Sequence, residues 1–295
     1  MRANQLSAAE TDRIEPIVPI AKSGTSSAES RYLQGDVAPV TSSVLISNSK
    51  YLNNPYYRDA WCQHALRRHG HDLPPTYGIP MLARALGEVT DYAEYMRLLE
   101  VEKKKNPEFA DWLAARRYTS WERGALTGCV PGTLGHALWE FLGIEGVQAE
   151  LQMKGVEVTN DIDYYAKRRG STHDLEHILS GFGPNAAGEQ ALAFVTVGST
   201  STYFSPELVP YISGGLSFIA AAGVQRVSLH YSKALPQYLE SSQLGIQMGL
   251  ALKKPFVMQP WEDFLDWQLD DIAAHLGIVR GPGKAWDWTT AATTG

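Results

Sequence analysis

The chain has 295 residues, 44% of them hydrophobic and 20% charged, with a formal net charge of −6. That length and balance suffice for a sizeable core and exclude a wholly disordered polymer. The acidic balance argues against a nucleic-acid partner, because basic residues occur only in the short runs Lys103–Lys104–Lys105, Lys167–Arg168–Arg169 and Lys253–Lys254, each of which reads as a solvated helix face.

Residues 1–50 hold nine serines and a single aromatic, Tyr32, too little apolar surface to build a core, so a flexible N-terminal arm is expected there. The N-terminus, Met-Arg-Ala-Asn-Gln, lacks the apolar stretch of a signal peptide, and a cytoplasmic protein, with peripheral contact at the inner face of a membrane, is expected. Cys62 and Cys129 stand alone without Cys-x-x-Cys spacing, which speaks against a disulfide framework or a thiolate zinc site.

Residues 51–106 read as an N-terminal helical extension. Asn54–Pro55 is an N-cap and first-turn pair, with Tyr57, Trp61, Ala65 and Leu66 on one face and Gly70 as the stop. Tyr92, Tyr95, Met96 and Leu99 make a second helical stripe, and Asn106–Pro107 repeats the opening device ahead of Phe109, Trp112 and Leu113. From 107 to 280 a helical core is expected. Strand-like alternation is confined to Val147–Val158. The stretch Leu208–Gln225 is uncharged but interrupted by Pro210 and Gly214–Gly215, a poor membrane span and a better greasy wall or interfacial helix. Trp261, Phe264, Leu265, Leu269, Ile272 and Leu276 keep one helical period up to Gly277, and 281–295 reads as a loose tail in which Trp286 and Trp288 are able to dock. The fold class is mainly α: a single helical domain with a metal site on a helix–turn–helix. The tryptophans at helical spacing read as core.

The segment His173-Asp174-Leu175-Glu176-His177 carries the chemistry. On a helix, His173 and His177 project from one face and can share an ion, while Asp174 lies about 100° round from His173 and reaches the ion from the flank or orients a ligand. Gly181, Gly183 and Pro184 then break the helix, and Asn185 can cap a second one with Glu189 in its first turn. Two imidazoles with one or two carboxylates suit a divalent ion such as zinc, iron, manganese or cobalt rather than calcium. With Asp174 outside the ligand set, open positions remain for Lewis-acid or oxygen chemistry. The competing reading of the His-Asp pair is an HD-type phosphohydrolase drawing on His136 and Asp263 or Asp266, without a surrounding pattern to support it.

The whole segment, His-Asp-x-x-His, eleven residues and Glu, with glycines at Gly181 and Gly188, resembles the signature of the ubiquinone (coenzyme Q) biosynthesis protein 4 family. Val130-Pro131-Gly132-Thr133-Leu134-Gly135 followed by Phe141–Leu142, and Trp261–Glu262 through Leu276-Gly277-Ile278, resemble two further family blocks in the right order. The resemblance covers about residues 107–279. It departs at Leu138, where the family often has Tyr, at Gly170, where a basic residue is usual, and in its first hundred residues. It implies an all-helical fold, a zinc-type site at His173, Asp174, His177 and Glu189 that also serves catalysis, an isoprenoid-binding pocket, peripheral membrane association, a quinone-biosynthesis protein complex and a homo-oligomer. The implied activity is oxidative ring decarboxylation of a prenylated hydroxybenzoate-type acid. The alternatives are a non-catalytic lipid-binding scaffold with a structural metal, and a related enzyme of a specialised-metabolite pathway. The largely uncharged run Gln190–Gln225 would line a lipid tunnel or simply be core.

Overall fold

The computed structural model describes residues 49–68, 78–144, 155 and 157–294, and the unit Ser47–Gly295 carries every element below. The expected arm 1–50, the stop at Gly70 and most of Val147–Val158 lie outside the described residues. The described residues form twelve α-helices and no strand beyond one isolated bridge, Thr133 to Gln268. In chain order they are α1 (Lys50–Asn53), α2 (Pro55–Leu66), α3 (Ile79–Val89), α4 (Tyr92–Lys105), α5 (Pro107–Ala115), α6 (Leu134–Phe141), α7 (Asp161–Ser180), α8 (Ala186–Tyr203), α9 (Val209–His230), α10 (Leu235–Ala251), α11 (Leu269–Leu276) and α12 (Trp288–Thr294).

Side-chain caps start these helices where the sequence places them. Asn54 accepts from the Tyr57 amide, Asn106 from Phe109, Asn160 from Asp163 and Asn185 from Gly188, each satisfying an amide that the helix itself leaves orphaned. Helix α8 packs along α10 and against α9, and α9 in turn carries α2. The α8–α10 approach is close: a Cβ at Gly245 would fall 2.2 Å from the Ala191 carbonyl oxygen. The main core gathers Leu134, Leu138, Leu175, Leu179, Leu192, Trp261 and Ile272 around the α7–α8 corner. A second cluster holds Tyr95, Leu99, Phe109, Tyr165 and Phe204, and a third joins α2, α3 and α9 through Ala60, Ala85 and Phe218. Helix α9 is long and apolar enough to cross a membrane by length and composition, and 44% of its most apolar window is buried inside the fold.

Two expectations need correction. The period from Trp261 to Leu276 is not one helix: Trp261–Phe264 is a 3-10 turn, and α11 begins only at Leu269. The reason is tertiary. The amides of Gly135 and Leu134 donate to the carbonyls of Leu265 (2.8 Å) and Trp267 (3.0 Å), so those carbonyls serve the Pro131–Gly135 block instead of a helical ladder. Nor is 281–294 loose. A 3-10 turn at Gly283–Trp286 and α12 follow α11, with Trp286, Thr289 and Thr293 buried and Trp288 exposed. Hydrogen bonds to α7 and α8 anchor this segment where composition alone promised no core.

Candidate metal centre

Helix α7 ends at Ser180, where Gly181 adopts a left-handed φ of 70° and its amide returns to the His177 carbonyl. The chain turns through Phe182–Pro184 and re-enters α8 under the Asn185 cap. The turn is tight enough to demand glycine at 188, since a Cβ there would sit 1.9 Å from the Gly183 carbonyl oxygen. This corner returns Glu189, in the first turn of α8, to the face that presents His173 and His177.

The three side chains converge. His177 Nε2 lies 3.2 Å from His173 Nε2 and 3.1 Å from Glu189 Oε1, and His173 Nε2 lies 3.4 Å from Glu189 Oε2. Two atoms each bound at about 2.0–2.1 Å to one tetrahedral ion stand roughly 3.3 Å apart, so the donor separations are those of a shared zinc-sized cation. His177 Nδ1–H donates to the Phe182 carbonyl at 2.7 Å, which fixes the ring and leaves Nε2 facing the trio. Phe182 is therefore a part of the centre that its type, an ordinary apolar residue, did not announce. Burial pushes the Glu189 carboxyl up, but the His177 charge and hydrogen bonds from His173 and His177 outweigh it and hold the group well below the usual range. Burial pushes the His177 imidazole down, yet Glu189, the Phe182 carbonyl and Asp174 leave it raised. Protons and a divalent cation would thus compete for the same atoms.

Asp174 contributes no atom to this convergent group. It is half-buried, and burial raises its carboxyl; it adds negative charge beside the imidazoles without joining the three donors. Among the described residues no other group of three potential ligands comes together. His136 lies 3.8 Å from Glu140 and Asp263 pairs with Arg117, and among the described residues none of His136, Asp263 and Asp266 joins a group of three potential ligands. The centre is also one-sided. The His177 side chain is 2% exposed, while His173 and Glu189 are 35% and 54% exposed.

A second charged feature of α7 escaped the pattern reading. Arg168, expected on a solvated face, is 1% exposed. Its Nη1 donates to Glu262 Oε1, and its Nη2 donates to Glu262 Oε2 (2.9 Å) and the Gln259 carbonyl (3.1 Å).

The family model of the coenzyme Q (ubiquinone) biosynthesis protein Coq4 matches residues 80–282. The chain belongs to the Coq4 family. The match opens at 80, one residue into α3, so the rest of α3 and all of α4 fall within the Coq4 region although 51–106 read as an extension. A Coq4 relative, the mitochondrial ubiquinone biosynthesis protein COQ4 of Eremothecium gossypii, is 27% identical over 153 residues, 51% of this chain. The chain spans only 42% of that relative's length. The crystal structure of a Nostoc punctiforme protein described as a ubiquinone biosynthesis protein superposes with a TM-score of 0.56 at 21% identity, covering 75% of this chain and 95% of that one. That likeness shows a shared fold and nothing finer.

Proposed function

We propose that the chain is a metal-dependent enzyme of ubiquinone-type quinone biosynthesis that acts on a prenylated hydroxybenzoate-type acid and removes its ring carboxylate oxidatively. The observation that carries this reading is a convergent His173, His177 and Glu189 set, walled by buried His177 and open to solvent at Glu189. Structural sites are closed by a fourth protein ligand, whereas catalytic ones keep a position free. A divalent ion held by this trio, zinc before iron, manganese or cobalt, would supply Lewis-acid charge to a ring carboxylate and the hydroxyl beside it.

The chain's own residues suit the remaining tasks. The Phe182 carbonyl accepts the Nδ1 proton of His177, which orients the ring and leaves Nε2 to serve as a ligand. Glu189 is ionised by its surroundings and suits the same role. Asp174 keeps further negative charge next to the imidazoles. Replacement of the carboxylate by a hydroxyl is a two-electron oxidation: with dioxygen as external oxidant and water supplying the hydroxyl oxygen, the carboxylate would leave as carbon dioxide and dioxygen as hydrogen peroxide. The half-buried α9 offers apolar surface against which a prenyl tail, or a membrane holding it, would rest.

The test is Glu189→Gln, which keeps shape and removes a negative charge from the ligand set. Loss of carbon dioxide from a prenylated dihydroxybenzoate should fall sharply, with metal affinity lowered and the fold retained. Asp174→Asn should lower metal affinity without abolishing it. Equal restoration of quinone synthesis by wild type and Glu189→Gln in a strain lacking the native protein would replace the enzyme with a lipid-binding scaffold.

A further inference from the structure

The corner that joins α7 to α8 is wrapped by the segment 280–290. Arg280 Nε and Nη2 donate to the carbonyls of Leu179 (3.0 Å) and Ile178 (3.2 Å). The amides of Gly281 and Gly283 donate to the carbonyls of Ser180 (2.6 Å) and Gly181 (2.7 Å). At the other side of the turn, Thr290 Oγ1 accepts from the Ala186 amide (3.0 Å) and Thr289 Oγ1 from the Ala187 amide (3.2 Å). Asp287 Oδ1 accepts from Asn185 Nδ2 (3.1 Å), the side chain that caps α8. Trp286 stacks on Phe182 with an interplanar angle of 2°, and Phe182 is the residue whose carbonyl orients His177.

A helix leaves its last carbonyls and first amides without partners. Here one segment satisfies the end of the helix that carries both imidazoles and the start of the helix that carries the carboxylate. Water could satisfy either set separately, but it would leave the angle between the helices free. We infer that residues 280–290 are a clamp that sets the separation of the His173–His177 pair from Glu189, with Thr289, Thr290 and Arg280 as positioning residues. The family match ends at 282, so both threonines lie beyond it. The inference rests on the metal reading of the trio.

Thr293 supplies the internal control. It is buried on the same helix, but its hydroxyl donates only to the Thr289 and Thr290 carbonyls, within α12. Full-length wild type, Thr289→Val/Thr290→Val and Thr293→Val are titrated with Zn(II) against a chromophoric chelator, and the Co(II) absorption spectrum of each is recorded. Amide hydrogen exchange of peptides covering 178–190 is followed in parallel. The double variant should bind Zn(II) about 10–100-fold more weakly, show an altered Co(II) spectrum and exchange faster at 181–190, with Thr293→Val unchanged in all three. Wild-type affinity and spectrum in the double variant overturn the clamp, and so does an equal loss in both proteins, which would mark general loosening of α12. Should the double variant not fold, Arg280→Gln, at a partly exposed side chain, answers the same question with the same readouts. If wild type binds neither metal, the metal reading fails by itself, and faster exchange in the double variant alone still decides whether the clamp exists.

Discussion

Helix α7 carries two charged clusters that differ in how far they are closed. Arg168 and Glu262 form a two-pronged pair with the guanidinium 1% and the carboxylate side chain 16% exposed. His173, His177 and Glu189 bring three donors to 3.1–3.4 Å from one another, yet two of the three reach solvent. In the first cluster each strong charge meets its opposite, and a second cation, Arg117, lies 3.8 Å from Glu262. In the second, the negative charge on Glu189 faces two imidazoles with one side left open. Closure marks a pair that holds the fold, and openness marks a group that can take a ligand.

The difference is broken most forcefully at His173. His173→Ala removes one donor of three and should abolish stoichiometric divalent metal, read by elemental analysis of the purified protein. Because the side chain is 35% exposed, folding should change by only about 0.5 kcal/mol. A variant with wild-type metal content would remove His173 from the ligand set and leave the open cluster as an ordinary ion pair.

The next effect lies in the closed pair. Glu262→Ala leaves the Arg168 guanidinium buried without its counter-charge, and only the Gln259 carbonyl remains to it. Stranding one partner of a buried pair costs about 3–5 kcal/mol, a large share of the roughly 5–15 kcal/mol that stabilises a typical domain. Urea unfolding should show this loss while metal content stays at the wild-type level. Lost metal with preserved stability would reverse the roles assigned to the two clusters.

Much of this was legible in the sequence because it depends on local chemistry. The i, i+4 histidines, the Gly181 stop, the Asn185 cap and Glu189 in a first turn are all short-range, and each helix boundary they need is written within a few residues. What was not legible depends on contacts across the chain. Arg168 looks like one basic residue among three until Glu262, far along the sequence, is brought against it. Trp261–Leu276 keeps a helical period, but the Leu134 and Gly135 amides compete for its carbonyls. The threonines of 289–294 resemble low-complexity tail, and the orphan amides of α8 give two of them, Thr289 and Thr290, a task. Asp174 shows the converse limit: spacing places it beside the two histidines, and the three-dimensional arrangement leaves it outside the convergent donor group.

The smallest effect is the pH dependence of the closed pair, and its sign follows from the carboxylate. Burial pushes Glu262 up, but hydrogen bonds from Arg168, the Arg168 charge and the nearby Arg117 bring it below the ordinary value. An unfolded glutamate titrates near about 4.3. A depressed folded value means that the pair's contribution is complete above the unfolded value. It is lost as pH falls from there through the folded value, since the unfolded chain then binds the proton more readily. Arg168 keeps its charge throughout, so the carboxylate alone sets the window. The melting temperatures of wild type and Glu262→Ala should therefore differ by a constant amount from neutrality to about pH 5 and converge below about pH 4. Other depressed carboxylates, Asp161 and Glu108 among them, lower both curves together and drop out of the difference. A gap that persisted unchanged to pH 3 would show that Glu262 acts through packing and not through its charge, and the contrast between a closed charged pair and an open donor set would lose its electrostatic basis.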